Sequence, residues 1–313
     1  MYWNFEGILR TSRDVRLGEG STPPLIVEIG FGNGEYLEHL AATRPHALVV
    51  GVEVSQWCLT KAARRVLAAG FDNVRLLHGD ARYLLTYAFE PASISEIHMN
   101  FPCPWPKKRH EERRVTTPLF ARVIASSLVT GGSFTLATDV DWYAEETKRV
   151  FGNDGHFRAG PVLLNPPRDI ATKYERKWAE QGRDTYVFRA EKEGACDRVL
   201  AFEEKDEGED ASVEMTGLCD AGAFRERLAA IEGDALREAH YRVTFRKVFF
   251  AEDGTALITA ISVDEGFEQH YYIKVVPSGE VARGKIDSIG HPYRTPGVRA
   301  SLKHVMNRAG VVF

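Results

Sequence analysis

Short apolar runs alternate with segments of helical period through the first part of the chain. Leu25-Ile26-Val27-Glu28-Ile29 is rich in β-branched residues and ends at Gly30, which predicts a strand. Leu48 to Glu53, Val74 to Leu77, Ile94 to Met99 and Phe134 to Ala137 predict four more. Between them, residues 34–42, 57–69, 117–129 and 141–151 are helix-like; in 57–69, Leu59, Ala62, Ala63, Val66 and Leu67 fall on one helical face. Strands that are mostly apolar and alternate with helices predict an α/β unit with a doubly wound, mostly parallel sheet.

The pattern changes toward the C-terminus. Residues 222–239 read as a helix. Tyr241–Phe250, Thr255–Val263 and Gln269–Val276 read as strands, divided by Asp253-Gly254, Asp264-Glu265-Gly266 and Ser278-Gly279. Turn residues between adjacent strands predict an antiparallel meander. A helix over 297–309 completes a small α+β domain.

At 313 residues, two domains are expected, and 44% apolar with 27% charged residues is ordinary globular composition. No apolar run has the length of a membrane helix, and the N-terminus lacks the layout of a secretory signal; a soluble, cytoplasmic protein is expected. Cys58, Cys103, Cys196 and Cys219 form no C-x-x-C pair, which argues against zinc and against a disulfide framework. His39, His46, His78 and His110 have no metal-ligand spacing, so no metal is expected.

The net charge of −4 hides an uneven distribution. Residues 1–190 carry 24 basic and 22 acidic residues, and 191–214 carry 3 and 10. The run Glu203-Glu204-Lys205-Asp206-Glu207-Gly208-Glu209-Asp210 repels itself and has no apolar face, so it reads as an exposed linker. The expected organisation is a domain over 1–190, an acidic linker over 191–214 and a C-terminal accessory domain over 215–313.

Glu28-Ile-Gly30-Phe-Gly32-Asn-Gly34 falls where the first strand meets the first helix. Glycines let the backbone turn tightly and approach a ligand. Glu53 ends the second strand, 19 residues after Gly34, where an acid can accept both hydroxyls of a ribose. Asp80, followed by Ala81, closes the third strand on the same edge. A dinucleotide competes for such a site, but its G-x-G-x-x-G fingerprint would need glycine at Glu35, and Glu28 would repel a pyrophosphate. The set favours the cationic methyl donor S-adenosylmethionine; a bare tight turn is the bland alternative.

After the fourth strand comes Asn100-Phe101-Pro102-Cys103-Pro104-Trp105-Pro106-Lys107-Lys108-Arg109-His110. Prolines at this density exclude helix and central strand, leaving a rigid loop at the carboxyl edge that can present a planar base to the donor. Lys107, Lys108, Arg109, Arg113 and Arg114 form the densest basic stretch of the chain, suited to phosphates, although a solvated charged loop would look the same. Trp142 and Tyr143 read as packing residues and Cys58 as a small apolar one. By residues alone the chain reads as a methyltransferase acting on RNA.

The motifs, in this order, resemble the bacterial tRNA (guanine-N(7)-)-methyltransferase family over roughly residues 15–190. The resemblance is carried by the Glu28 to Gly34 loop, Gly51-Val-Glu53-Val, Asp80-Ala81, the Asn100 to His110 string, Ala137-Thr138-Asp139 and Thr172-Lys173-Tyr174-Glu175. It implies a Rossmann-like class I S-adenosylmethionine-dependent fold, with Glu28, Gly30, Gly32, Gly34, Glu53, Asp80 and Ala81 binding the donor. It also implies that Lys107, Asp139, Thr172, Lys173, Tyr174 and Glu175 bind the guanosine, that tRNA is the partner and that 7-methylguanosine in the variable loop is the product. Lys108, Arg109, Arg113 and Arg114 would meet the RNA backbone. One position departs from the family: Cys103 stands where it has a catalytic aspartate. Cys103 and Asn100 are the candidate catalytic residues, with Asn100 or another acid orienting the base. A retargeted or non-catalytic RNA-binding homologue is the alternative that this cysteine leaves open.

The C-terminal domain lies outside that resemblance. Arg242, Arg246, Lys247, Lys274, Arg283, Lys285, Arg294, Arg299, Lys303 and Arg308 are candidates for a basic face, with Tyr271, Tyr272 and Tyr293 for stacking. The expectation is an accessory tRNA-binding domain; a stabilising or dimerising appendage is the alternative.

Overall fold

The computed structural model describes residues 9–10, 23–106, 114, 117–168, 170, 176, 181–197, 199, 214–218, 223–264, 267–287 and 292–311. The chain divides into two compact units, Met1–Ala201 and Phe202–Phe313.

The first unit contains strands β1 (Leu9–Arg10), β2 (Leu25–Ile29), β3 (Leu48–Glu53), β4 (Val74–His78), β5 (Ile94–Asn100), β6 (Leu128–Thr138), β7 (Phe157–Leu164) and β8 (Tyr186–Lys192). Its helices are α1 (Glu35–Thr43), α2 (Gln56–Ala69), α3 (Ala81–Tyr87), α4 (Pro118–Ser127) and α5 (Asp141–Asp154). The sheet order is β1-β4-β3-β2-β5-β6-β8-β7. Pairing is parallel from β1 to β6, and β8 runs antiparallel to both neighbours. The chain winds outward from β2 to β4 and then restarts at β5 on the other side of β2. That reversal is the switch point where doubly wound sheets bind ligands.

Layering explains the apolar strands. All five residues of β2 are buried, as a strand between two helical layers requires, so the sheet carries Glu28 into the interior. On one face Leu37, Leu40 and Ala41 of α1 and Leu59, Ala62 and Val66 of α2 pack on Ile26, Val49, Val74 and Leu76. Elsewhere in the unit Phe151 of α5 stacks on Phe134 of β6 at 4.5 Å between ring centroids and meets Phe188 of β8 edge-on. Ser55 caps α2, its hydroxyl accepting from Cys58 N, and Gly70 ends that helix in the left-handed conformation. Tyr143 is fully buried, as a packing residue; Trp142 is 39% exposed and lies under the Arg114 guanidinium, 5.0 Å from its ring centroid.

Helix α4 ends at Ser127, short of the expected 129, and β6 begins at once at Leu128 rather than near Phe134. Helix α3 and strands β7 and β8 have no counterpart in the sequence reading. Strand β7 is largely exposed and is interrupted by Gly160-Pro161, which shifts its register on β8 between Ala159 and Val162.

The second unit is an antiparallel sheet of order β10-β11-β12-β13-β14-β9. Its elements are β9 (Glu214–Leu218), α6 (Phe224–Ala229), β10 (Ala235–Arg237), β11 (Tyr241–Phe250), β12 (Ala256–Asp264), β13 (Phe267–Ser278), β14 (Val281–Ile286) and α7 (Pro296–Arg308). The expected meander forms as β11 to β13; β14 and β9, which have no counterpart in the sequence reading, extend the sheet by pairing with β13 and β14 in turn. Strand β12 alternates strictly between buried and half-buried residues; Ile258, Ile273 and Val275 pack against Val298, Leu302 and Met306 of α7. The carboxylate of Asp264, 1% exposed, accepts from Gly297 N at 2.6 Å and Thr295 Oγ1 at 2.7 Å, tying the start of α7 to the end of β12.

Two expectations for this unit need correction. The helix over 222–239 is only the six-residue α6. Gly233, at φ 91°, turns the chain so that Leu236 pairs with Val243 in the sheet. The ten cations do not share a face. Arg242, Arg283 and Lys285 sit at exposed sheet positions and Lys274 is half-buried. Lys303 and Arg308 belong to α7, which packs on the other side of the sheet, and Arg308 pairs with Asp234. Tyr271 cannot stack on a base: it is 1% exposed and its hydroxyl donates to Ser301 Oγ at 2.8 Å.

No helix among the described residues is long and apolar enough to cross a membrane. Among the same residues, no cluster of three or more His, Cys, Asp or Glu has a metal-binding arrangement.

Candidate active site

The carboxyl ends of β2, β3 and β5, with the turn after β4, build one site. Gly30, Gly32 and Gly34 all adopt left-handed conformations, with φ of 72°, 56° and 80°. A Cβ at Gly34 would stand 2.9 Å from the Cβ of Ala62, so the loop needs glycine there for its approach to α2. A Cβ at Gly30 or Gly32 would meet nothing within 4 Å among the described residues, which leaves open space over the backbone. Gly30 N donates to Val52 O at 2.8 Å and Gly34 N to Phe31 O at 2.9 Å, holding the curve.

Glu53 joins two loops. Its Oε2 accepts from Gly32 N at 3.1 Å and its Oε1 from Ser55 N at 2.9 Å. Each oxygen keeps a second lone pair for a ligand hydroxyl. Asp80 caps α3. Its Oδ1 accepts from Arg82 N and Nε, and its Oδ2 from Arg82 Nη2 at 2.8 Å. Ala81 begins that helix and is buried.

Glu28 is the most unusual group in the site. It is 2% exposed; Oε1 accepts from Asn100 Nδ2 at 3.2 Å, and Oε2 is buried with no hydrogen-bond partner among the described residues. Burial pushes its carboxyl up from 4.5 to about 8; Asn100 and Arg168 pull it down, and Glu53 adds to the rise. A buried carboxylate oxygen without a donor is costly unless a ligand cation or donor completes it. An open left-handed glycine loop and an acid with free acceptor positions beside it fit the amine and ribose of S-adenosylmethionine.

Asn100 is engaged on both sides. Its Oδ1 accepts from Arg168 Nη2 at 2.8 Å while its Nδ2 serves Glu28. The Arg168 guanidinium lies 5.7 Å from the centroid of the Tyr36 ring. Tyr36 and His98 share a hydrogen bond, Oη to Nδ1 at 3.2 Å, and His98 Nε2 meets Glu96 Oε2 at 3.0 Å. His98 holds the Glu96 carboxyl below its ordinary value, which makes Glu96 the acceptor in their hydrogen bond.

The loop after β5 is rigid and strained. Phe101 and Trp105 have φ of 51° and 44°, a region that costs a bulky side chain roughly 1–2 kcal/mol. Phe101 N donates to Ala137 O at 2.7 Å, fastening the loop to β6. Cys103 between them is exposed. Arg114 differs from the expected phosphate contact. It is 8% exposed and its Nη1 donates to both carboxylate oxygens of Glu146, at 2.9 and 3.0 Å; its Nε and Nη2 donate to Trp105 O. It clamps the strained loop to α5.

Asp139, just after β6, accepts from Arg183 Nη1 at 2.8 Å, and Glu35 at the start of α1 pairs with Arg176 at 3.1 Å. Lys107, Lys108, Arg109, Arg113, Thr172, Lys173, Tyr174 and Glu175 lie outside the described residues. Sequence reasoning missed Arg168, Arg176, Arg183, Tyr36 and His98. The only available signal was the density of arginine between β7 and β8, since the partners lie 68, 141 and 44 residues away.

Residues 22–188 match the family model described as "Putative methyltransferase". The tRNA (guanine-N(7)-)-methyltransferase of Thermotoga maritima is 37% identical over 291 residues, covering 91% of this chain and 89% of that protein. Those of Thermus thermophilus and Coprothermobacter proteolyticus are 30% and 31% identical, covering 92% and 91% of this chain and 90% and 86% of theirs. The fold and site therefore define a methyltransferase. The chain belongs to the tRNA (guanine-N(7)-)-methyltransferase family. These matches run past residue 190, so the likeness to these relatives extends into the second unit.

Proposed function

We propose that this chain transfers the methyl group of S-adenosylmethionine to N7 of the variable-loop guanosine of tRNA, in the cytoplasm. The observation that carries the reading is the buried Glu28, one oxygen of which has no partner among the described residues, beside an open glycine loop at the switch point. Relatives sharing about nine-tenths of the chain bear the name of that activity.

Glu28 would hold the amine of the donor, Glu53 the ribose hydroxyls, and the Asp80-Ala81 turn the adenine. When bound, the donor supplies a methyl group already activated by its sulfonium. Guanine N7 carries its lone pair in the ring plane, so no proton has to leave before attack. The task of the protein is then alignment rather than base catalysis. The Phe101–Pro106 loop is suited to it, because a strained, proline-rich segment clamped by Arg114 loses little freedom when a base docks. Cys103 is compatible with this scheme, since no carboxylate is needed to remove a proton. Asn100, Asp139, Lys107 and the Thr172 to Glu175 string would orient the guanosine, while Lys108, Arg109 and Arg113 would meet phosphates. In the second unit the sheet positions Arg242, Lys274, Arg283 and Lys285 support an accessory contact with tRNA. The test is methyl transfer to unmodified tRNA, with the product base identified after nuclease digestion.

A further inference from the structure

We infer that Arg168 is a positioning residue for the methyl donor. It fixes the amide of Asn100 so that the amide N–H faces Glu28, leaving the second oxygen of Glu28 to receive the cationic group of the donor. This rests on the reading that the site binds S-adenosylmethionine.

A guanidinium has donors and no acceptor. Its 2.8 Å contact can therefore be made only with the oxygen of the Asn100 amide, and the nitrogen of that amide must point the other way. The group found there is Oε1 of Glu28, at 3.2 Å. Without Arg168 the amide is free to rotate by half a turn. Its oxygen would then face the carboxylate oxygen, two acceptors with no proton between them. That rotamer is tolerated only when Glu28 carries a proton to donate, so its availability favours the protonated acid, and a protonated Glu28 cannot neutralise the amine of the donor.

Arg168 is itself held in place. It lies over the ring of Tyr36, whose hydroxyl is bonded to His98. Residues of α1 and β5 thus support a guanidinium that comes from between β7 and β8. The groups bearing on Glu28 are Asn100 from β5, Arg168 and, from β3, Glu53. His98 of β5 is its partner in the sheet register. Arg168 is the fixed positive charge in that set. It favours the ionised carboxylate directly and through Asn100, against burial and Glu53.

The experiment is equilibrium binding of S-adenosylmethionine to the full chain between pH 6 and 9, for wild type, Arg168→Met and Arg168→Lys. The wild type is expected to bind more tightly as pH rises and to level off near pH 8. Arg168→Met should weaken binding 10- to 100-fold at pH 7 and move the levelling pH upward by about one unit. Arg168→Lys, which keeps the charge without the planar fork, should fall between the two and keeps the test available if the methionine variant does not fold. A uniform loss at every pH, with the levelling pH unmoved, would mean ordinary packing and would overturn the inference. So would unchanged affinity in both variants. A wild type that does not bind S-adenosylmethionine at any pH overturns the reading of the site itself, and the inference with it.

Discussion

Asn100 at the end of β5 donates its amide proton to Oε1 of Glu28 on the adjacent strand β2, 3.2 Å away and 72 residues earlier in the chain. The bond crosses the point where the sheet reverses its order. It joins the residue proposed to orient the base to the one proposed to hold the donor, so under that reading the two sites would share one polar contact.

Glu28 makes stability of the ligand-free protein depend on pH in a definite direction. Its carboxyl is raised from 4.5 to about 8, so the folded state holds a proton that the unfolded state releases. The stabilisation is complete below about pH 4.5 and is lost as pH rises through about 8; at most about 5 kcal/mol is involved. Glu28→Gln does not titrate. Urea midpoints at pH 5.5 and 8.5 should show the wild type losing stability relative to this variant, while S-adenosylmethionine binding is lost in the variant. A difference that is flat or grows with pH would refute the assignment.

Arg114 is predicted to act through structure. Arg114→Ala leaves Glu146 without its buried partner and releases the Trp105 carbonyl, so it should cost roughly 3 kcal/mol in urea denaturation. It should also lower methyl transfer while leaving donor affinity unchanged. If Arg114 were instead a phosphate contact, stability would hold and the salt dependence of tRNA affinity would fall by about one unit of slope.

In the first unit, the strands that were legible in the sequence are the ones buried on both faces. Strands β2 and β3 read as continuous apolar runs because helices cover both sides. Strands β7 and β8 did not, because Gly160-Pro161 breaks β7, which is largely exposed, and because the buried positions of β8 are Phe188, Ala190 and a lysine, Lys192, which spoils the apolar alternation. The single-letter pattern over 222–239 suits a helix, and only pairing with β11 makes part of it a strand. In the site, Glu28, Glu53, Asp80 and Asn100 were visible as polar residues at or just beyond the ends of apolar strands. Arg168 and Arg183 were not, because their roles come from contacts that local spacing does not encode.

Cys103 should prove dispensable. If alignment of N7 carries the rate, Cys103→Ala should retain kcat within about tenfold, whereas Asn100→Ala, which loosens both sites, should lose 100-fold or more. Single-turnover rates with saturating donor decide this. A 100-fold loss in Cys103→Ala would assign the thiol a direct role in the reaction.

Lys274 and Lys285 are direct register partners on β13 and β14. Two like charges placed side by side are unfavourable unless a polyanion is met there. The double variant Lys274→Glu, Lys285→Glu should weaken tRNA binding several-fold at moderate salt without altering donor affinity, as followed by filter binding. Unchanged tRNA affinity would leave the second unit without a role in substrate capture.

The most direct test of the central claim combines purified wild-type protein, S-adenosylmethionine and unmodified tRNA. The methylated nucleoside is identified by mass spectrometry after complete digestion, and its position by fragment mapping. The account predicts about one 7-methylguanosine per tRNA, located in the variable loop. Intact donor and tRNA binding with no methyl transfer, or a methyl group on any other atom, would contradict it.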